Sequence, residues 1–469
     1  MPDNIGIFVY IVFTYLLGGF VSFCLARTVI SKMDFFVRLG VFWIVGNAIA
    51  VSVLSFLFIT HNLDLISAGS IFSATVILGV INAIILGKYL LAQRKWERAN
   101  LFWLLAILLF FGSLIASSIY SFLVSWDAVG MWMFKAKILS MSTQVIDSFF
   151  QGGKDFLYSN KAYPIGFSLL VSAYYRIVGS VNDQAVQLYL LFYYLNLIFL
   201  AFGVIRKSLR HIVHTAISLA VTLLLLITPN FIMYAHNGYV DLPLGATFAT
   251  LFILVYYLWK EESRENARAY FLLLICSSGL ASVLKNEGVS FVFMSLFIAT
   301  ARMVYKRFLT PWTVVQAGLC AIVALFPYVS WAIYKNVYHI AFYLEGHYIL
   351  NAESFSRLKL VINYYFLEII NTARYNLALI FAVFIFVGEM TFFRIGKLLR
   401  SPMLPLLIIL TFQLMVYTYV YLVTTMPIVT QIETSLERLV LQLLPSFYLL
   451  VVIMFGHLIT AAKNSEKHS

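Results

Sequence analysis

Charge is what this chain has least of. Asp, Glu, Lys and Arg make up 11% of its 469 residues, less than half the share usual in soluble domains. Apolar residues make up 62%, and the mean hydropathy is +0.92. No water-soluble fold hides that much apolar surface, so soluble enzymes, DNA-binding modules and secreted disulfide scaffolds are excluded. Cysteine is scarce as well: Cys24, Cys276 and Cys320 all sit inside apolar runs, which gives neither a disulfide framework nor a clue to the compartment. Alternation is missing too. Membrane barrel strands alternate over about 10 residues, whereas these runs stay apolar for about 20. The opening Met-Pro-Asp-Asn has no basic stretch ahead of the first apolar run, which argues against a cleaved signal peptide and places Met1 outside the cytoplasm.

What is present is an all-α polytopic membrane protein. Apolar spans read at 5–25, 39–59, 66–87, 101–123, 185–205, 212–230, 242–259, 269–284, 289–304, 312–332, 375–393, 403–423 and 438–460 make 13 transmembrane helices. A net charge of +12 is in the range of nucleic-acid binders, but the basic residues are scattered in threes and fours between spans with no stripe, and they read as topology signals. With an outside start, the inner loops hold 21 of the 32 Lys and Arg, as the positive-inside rule requires. Ile165–Val178, 14 residues long, reaches only about 21 Å as a helix against a hydrocarbon core of about 30 Å. Counting it as a span would invert everything downstream, so it is expected as a helix lying in the outer interface. The segment 269–304 has basic flanks on both sides and must cross an even number of times, turning at Lys285-Asn286-Glu287-Gly288. Its arms are short, so that turn is expected below the outer surface.

The polar chemistry collects outside, in loops 124–184 and 333–374 and in turns at 231–241, 285–288 and 424–437; 13 of the 20 acids lie there or at outer span ends. Asp127 stands at a span end, at the water–lipid boundary. It is either a helix-end acid in headgroup water or a carboxylate put to use. Lys135 and Lys137 are two apart, about 200° around a helix, so both cannot face one pocket and at least one snorkels. Tyr163-Pro164 leads the interfacial helix, whose Arg176, next to Tyr174 and Tyr175, reads as an anchor or a phosphate ligand. Asp241, near the start of a helix with Pro243 in its first turn, is explained by capping, but His236 and Asn237 beside it are not. Lys285 has Glu287 as its cheapest partner; a lipid phosphate would serve as well.

These stretches, in this order over roughly 101–307, resemble the GT-C class of polyprenyl-phosphate-dependent glycosyltransferases, which includes protein O-mannosyltransferases and the lipid A aminoarabinose transferase. The chain then divides into a three-helix N-terminal segment (1–98), which the family's pattern lacks, a GT-C-like catalytic transmembrane module (99–310) and a C-terminal region (311–469) that the resemblance does not reach. The resemblance implies an inverting sugar transfer from a polyprenyl-phosphate donor to a lipid, glycan or protein acceptor. Asp127 would be the first-loop acid that serves as base or positions the acceptor, Asp241 the acid of the next outer turn, and Lys285 the ligand of the donor phosphate. Arg176 and Arg438 are further phosphate candidates; Lys135, Tyr163, His236, Asn237, Glu287, His347 and Arg357 are candidate substrate contacts. Asp127 is followed by Ala128, where protein O-mannosyltransferases have a second acid. A divalent cation is an open expectation, with Asp127, Asp241 and His236 the only weak ligands. No nucleic-acid partner is expected, and the setting is a bacterial inner membrane with the site facing outward. The competing readings are an O-antigen-type polymerase or ligase, which would rely on several loop arginines (Arg176, Arg357, Arg374, Arg438), and a lipid-linked sugar flippase, which predicts mid-membrane charges and repeated halves.

Overall fold

The computed structural model describes residues 3–93, 98–119, 125–151, 159–209, 214–340, 352–392, 401–424 and 426–466. The chain is an all-α polytopic membrane protein. Among the described residues there is no strand, and ten helices are long and apolar enough to cross a bilayer. In order the helices are α1 (Asp3–Ile30), α2 (Phe35–Ile59), α3 (Ala68–Gln93), α4 (Arg98–Ile119), α5 (Phe134–Leu139), α6 (Thr143–Gln151), α7 (Gly166–Val178), α8 (Asp183–Leu209), α9 (Thr215–Leu226) and α10 (Pro229–Tyr234). Then come α11 (Asp241–Lys260), α12 (Arg264–Leu284), α13 (Glu287–Tyr305), α14 (Pro311–Val337), α15 (Ala352–Ile369), α16 (Thr372–Tyr375), α17 (Ala378–Phe392), α18 (Met403–Val423) and α19 (Ile428–Glu466). Each of the thirteen expected spans falls on one of these helices. Ten of them lie on helices that are long and apolar enough to cross a bilayer, and on α4, α9 and α17 the described apolar stretch is 17 residues or fewer.

Burial, not amphipathicity, sorts the helices, because lipid is as apolar as a protein core and leaves no polar face to read. In α8, α11 and α12, 94% of the most apolar stretch is buried; in α3 the figure is 6%. The first three form the hub, and α3 lies at the rim. Helices α1 and α2 pack on α8 and α12, and Asp34 at the start of α2 is bonded to Arg206 at the end of α8, whose other arm reaches Asn100 Oδ1 at 2.8 Å.

Helix α7, the segment expected to lie in the outer interface, is covered by protein: all but two of its residues are buried, and it packs on α2, α5 and α12. A Cβ on Gly166 would lie 2.7 Å from the Val283 carbonyl oxygen, so glycine is what lets α7 seat on the end of α12. One expectation is corrected. The arms of the 285–288 turn are not short: at 21 and 19 residues each reaches about 30 Å. They close tightly because Gly288 rests on α12, where a Cβ would meet the Ala281 carbonyl oxygen at 1.9 Å.

Candidate functional site

One polar cavity of about 320 Å³ opens between the segments that hold Asp127–Trp132 and Tyr163 and the ends of α12, α13, α18 and α19. Its lining includes Asp127, Trp132, Tyr163, Lys285, Glu287 and Arg438, so the structure brings together segments up to 311 residues apart in sequence.

Asp127 enters on a π-helical turn, Asp127–Met133, that runs into α5. The Phe134 N–H donates to the Val129 carbonyl, five residues back. Such widened turns cost helix stability and recur where side chains must be re-aimed. The carboxylate is 23% exposed and is bonded through Oδ2 to Arg438, itself 21% exposed and stacked over the Tyr239 ring at 5.2 Å.

Lys285 ends α12 in extended backbone (φ −152°, ψ 157°), which turns its side chain off the helix and into the cavity wall. Its Nζ lies 2.9 Å from Asp241 Oδ1 and 3.6 Å from Glu287 Oε1. The expected sequence neighbour is therefore the lesser partner. Asp241 lies 44 residues away, brought across by the α11–α12 hairpin, and is only 1% exposed against 6% for Lys285. Asp241 is thus an ion-pair partner, beyond any capping role, and it also accepts from Gln442 Nε2 at 2.6 Å. Burial pushes the Lys285 ammonium down, but the carboxylates of Asp241 and Glu287 outweigh it and raise it above the ordinary lysine range. Asp241 Oδ2 and Glu287 Oε2 are buried with no hydrogen-bond partner. Buried carboxylate oxygens of this kind call for donors such as hydroxyl groups.

The α18–α19 pair supplies, besides the expected Arg438, residues that the sequence argument does not single out. Gln413, Tyr417 and Tyr421 on α18 and Gln431, Ser435, Arg438 and Gln442 on α19 recur every three or four positions, a polar stripe on each of two apolar helices. Tyr417 donates to Gln442 Oε1, and Gln413 Nε2 donates to the Glu287 carbonyl at 3.1 Å. That periodicity was the signal that could have found them. Arg438, expected at the outer end of its span, lies about three turns inside α19, which starts at Ile428.

Other expected site residues lie elsewhere. Lys135 is fully buried behind Trp132, with Nζ donating to the carbonyls of Asn160 and Tyr163 at 3.1 and 3.5 Å. Burial, with the Lys335 charge adding to it, pushes this ammonium down to about 7. Lys137 pairs with Asp183 at 2.7 Å. Neither lysine snorkels. Arg176 is consumed by Asp64 and by the carbonyls of Leu139 and Met141, away from the cavity. Arg374 bridges Glu368 and Glu437. Arg357 donates to the carbonyl of the cavity residue Thr424 at 2.8 Å but does not line the cavity. His236 and Asn237 stand outside it in a turn, where Asn237 Oδ1 accepts from the Tyr239 N–H at 3.0 Å. His347 lies outside the described residues. Asp127, Asp241 and His236 do not form a metal-binding group, and no cluster of three or more His, Cys, Asp or Glu able to hold an ion is found among the described residues.

Comparison of the chain with protein-family models, with curated proteins and with solved structures gives no match. The likeness to the GT-C class therefore stands on the order of the motifs alone.

Proposed function

We propose that the protein is a membrane glycosyltransferase that moves a sugar from a polyprenyl-phosphate donor to a hydroxyl of a lipid, glycan or protein acceptor, with the cavity on the extracytoplasmic side of a bacterial inner membrane. The observation that carries the reading is the shared cavity: a carboxylate from the first outer loop and two cations from remote helices meet at the ends of apolar spans. Displacement at an anomeric carbon needs this set, a base for the incoming hydroxyl and positive charge for the departing phosphate.

In this reading Asp127 takes the proton of the acceptor hydroxyl as its oxygen bonds to the anomeric carbon. The bond from that carbon to the phosphate oxygen breaks, and the phosphate leaves with the electron pair, facing Lys285 and Arg438. The sugar inverts because entry and departure are on opposite sides. In the structure both cations already hold carboxylates, and three acids face two bases. An incoming phosphate that takes Arg438 releases Asp127, so donor binding itself frees the base. Asp241 and Gln442 hold Lys285 in place, and the unpartnered oxygen of Glu287 suits a sugar hydroxyl. Of the four arginines that a polymerase or ligase would use, only Arg438 lines the cavity, which favours the single-phosphate transferase.

The test is turnover in proteoliposomes loaded with a panel of labelled polyprenyl-phosphate pentoses and hexoses. Wild type is expected to release polyprenyl phosphate from one of them, and Asp127→Asn to lose about 10²–10⁴-fold, the usual worth of a positioned base. Full activity of the variant, or no turnover of any donor, overturns the assignment.

A further inference from the structure

The end of α12 opposite the cavity carries a second polar feature. A cleft of about 480 Å³ is lined by Cys24, Arg27 and Thr28 from the last turns of α1, by Ser31 just after it, and by Glu265 and Arg268 from the first two turns of α12. Lys285 ends this same helix, so the two places are separated by about 25 Å of helix rise. Ala26 (φ −144°, ψ 32°) breaks α1 one residue before Arg27, setting off the turn that carries Arg27, Thr28 and Ser31 from the span above it.

This cleft brings two guanidinium groups to one lining. At the same end of the bundle Arg302 is paired with Glu262, Arg206 with Asp34, and Arg264 donates to the Phe308 carbonyl. Arg27 and Arg268 have no such bond among the described residues, and the Nε of Arg268 is buried without a partner. A buried N–H left unmade is costly, and a planar guanidinium pair flanked by hydroxyls is suited to a tetrahedral oxyanion. Glu265 is the one opposing charge in the lining and leaves the cleft with a net positive charge of one.

We infer that this cleft binds a phosphate group, carried by a membrane lipid headgroup or by a soluble anion. The assignment is independent of the transferase reading, since no residue is shared.

The experiment follows thermal unfolding of the full-length protein in neutral detergent against dioctanoyl phosphatidic acid, dioctanoylglycerol and inorganic phosphate. Phosphatidic acid is expected to raise the midpoint saturably and dioctanoylglycerol to leave it unchanged. Arg27→Gln and Arg268→Gln should each move half-saturation upward about tenfold, the worth of a charged hydrogen bond, and Arg268→Lys should restore only part. Arg307, exposed at the same end outside the cleft, is the control, and Arg307→Gln should change nothing. Equal saturation by inorganic phosphate identifies a soluble anion as the source. No stabilisation by any phosphate probe, or the same loss in Arg307→Gln as in the cleft variants, overturns the site.

Discussion

Lys285→Met tests the cavity's electrostatics most sharply. The ammonium lies 2.9 Å from a carboxylate that is 1% exposed, a separation worth about 6 kcal/mol at an effective dielectric constant of about 20. Removing the cation leaves Asp241 charged, buried and held by Gln442 alone. The expected cost is about 3–5 kcal/mol, the range for breaking a buried pair from one side. Asp241→Asn should cost less, because Lys285 keeps Glu287 at 3.6 Å and the Asn carbonyl can still accept from Gln442. The double variant, in which Asp241 no longer carries a stranded charge and only the half-open Glu287 loses its cation, should cost far less than the sum of the single changes. The assay is equilibrium unfolding of the four proteins in mixed micelles, paired with donor binding. Stability should return in the double variant while donor affinity does not, which separates holding the fold from holding the phosphate. Strictly additive costs would show that the two groups do not meet. Lys285 is raised above its unfolded value, so its contribution is fully present below pH 10.5 and lost only as pH rises through its folded value.

Lys135 gives the opposite dependence. Its ammonium falls from 10.5 to about 7 on folding, so the unfolded chain binds more protons between those values, and stability should rise with pH by up to about 1.4 kcal/mol per unit. Lys135→Met should flatten that slope in unfolding measured from pH 6.5 to 10, and an unchanged slope would rule out Lys135 as its source. Gly288→Ala would drive a methyl into the Ala281 carbonyl, and circular dichroism melting should show a loss of at least about 1–3 kcal/mol; a neutral result would mean that the α12–α13 hairpin is looser than described. Tyr417→Phe removes the donor to Gln442 and should slow donor turnover while costing only about 1 kcal/mol of stability; unchanged turnover would separate α18 from the reaction.

The helices were legible because continuous apolar runs admit little else. The polar islands were legible too, since Asp127 and Lys285 interrupt those runs, and both line the cavity. Three things were not. Sequence shows only neighbours and offers Glu287 to Lys285, whereas the hairpin delivers Asp241 from 44 residues away. For α7 the length argues against a crossing, but length does not say whether an apolar helix is covered by lipid or, as here, by α2 and α12. The stripes on α18 and α19 were overlooked because Gln, Ser and Tyr barely lower the hydropathy of a span, although their three-to-four spacing marks one face. The cavity is as much the work of the last two helices as of the segment that carries Asp127.

The most direct measurement of the central claim is a cross-link between positions 127 and 286, both in the cavity lining. Cysteines would be placed there in a chain whose Cys24, Cys276 and Cys320 are replaced, and treated with a short membrane-impermeant bis-maleimide on sealed, oriented vesicles. The account predicts that both label from the same side and that the reagent joins them within one chain. Labelling from opposite sides would contradict it, because a base and a phosphate ligand on different faces of the membrane cannot act on one sugar.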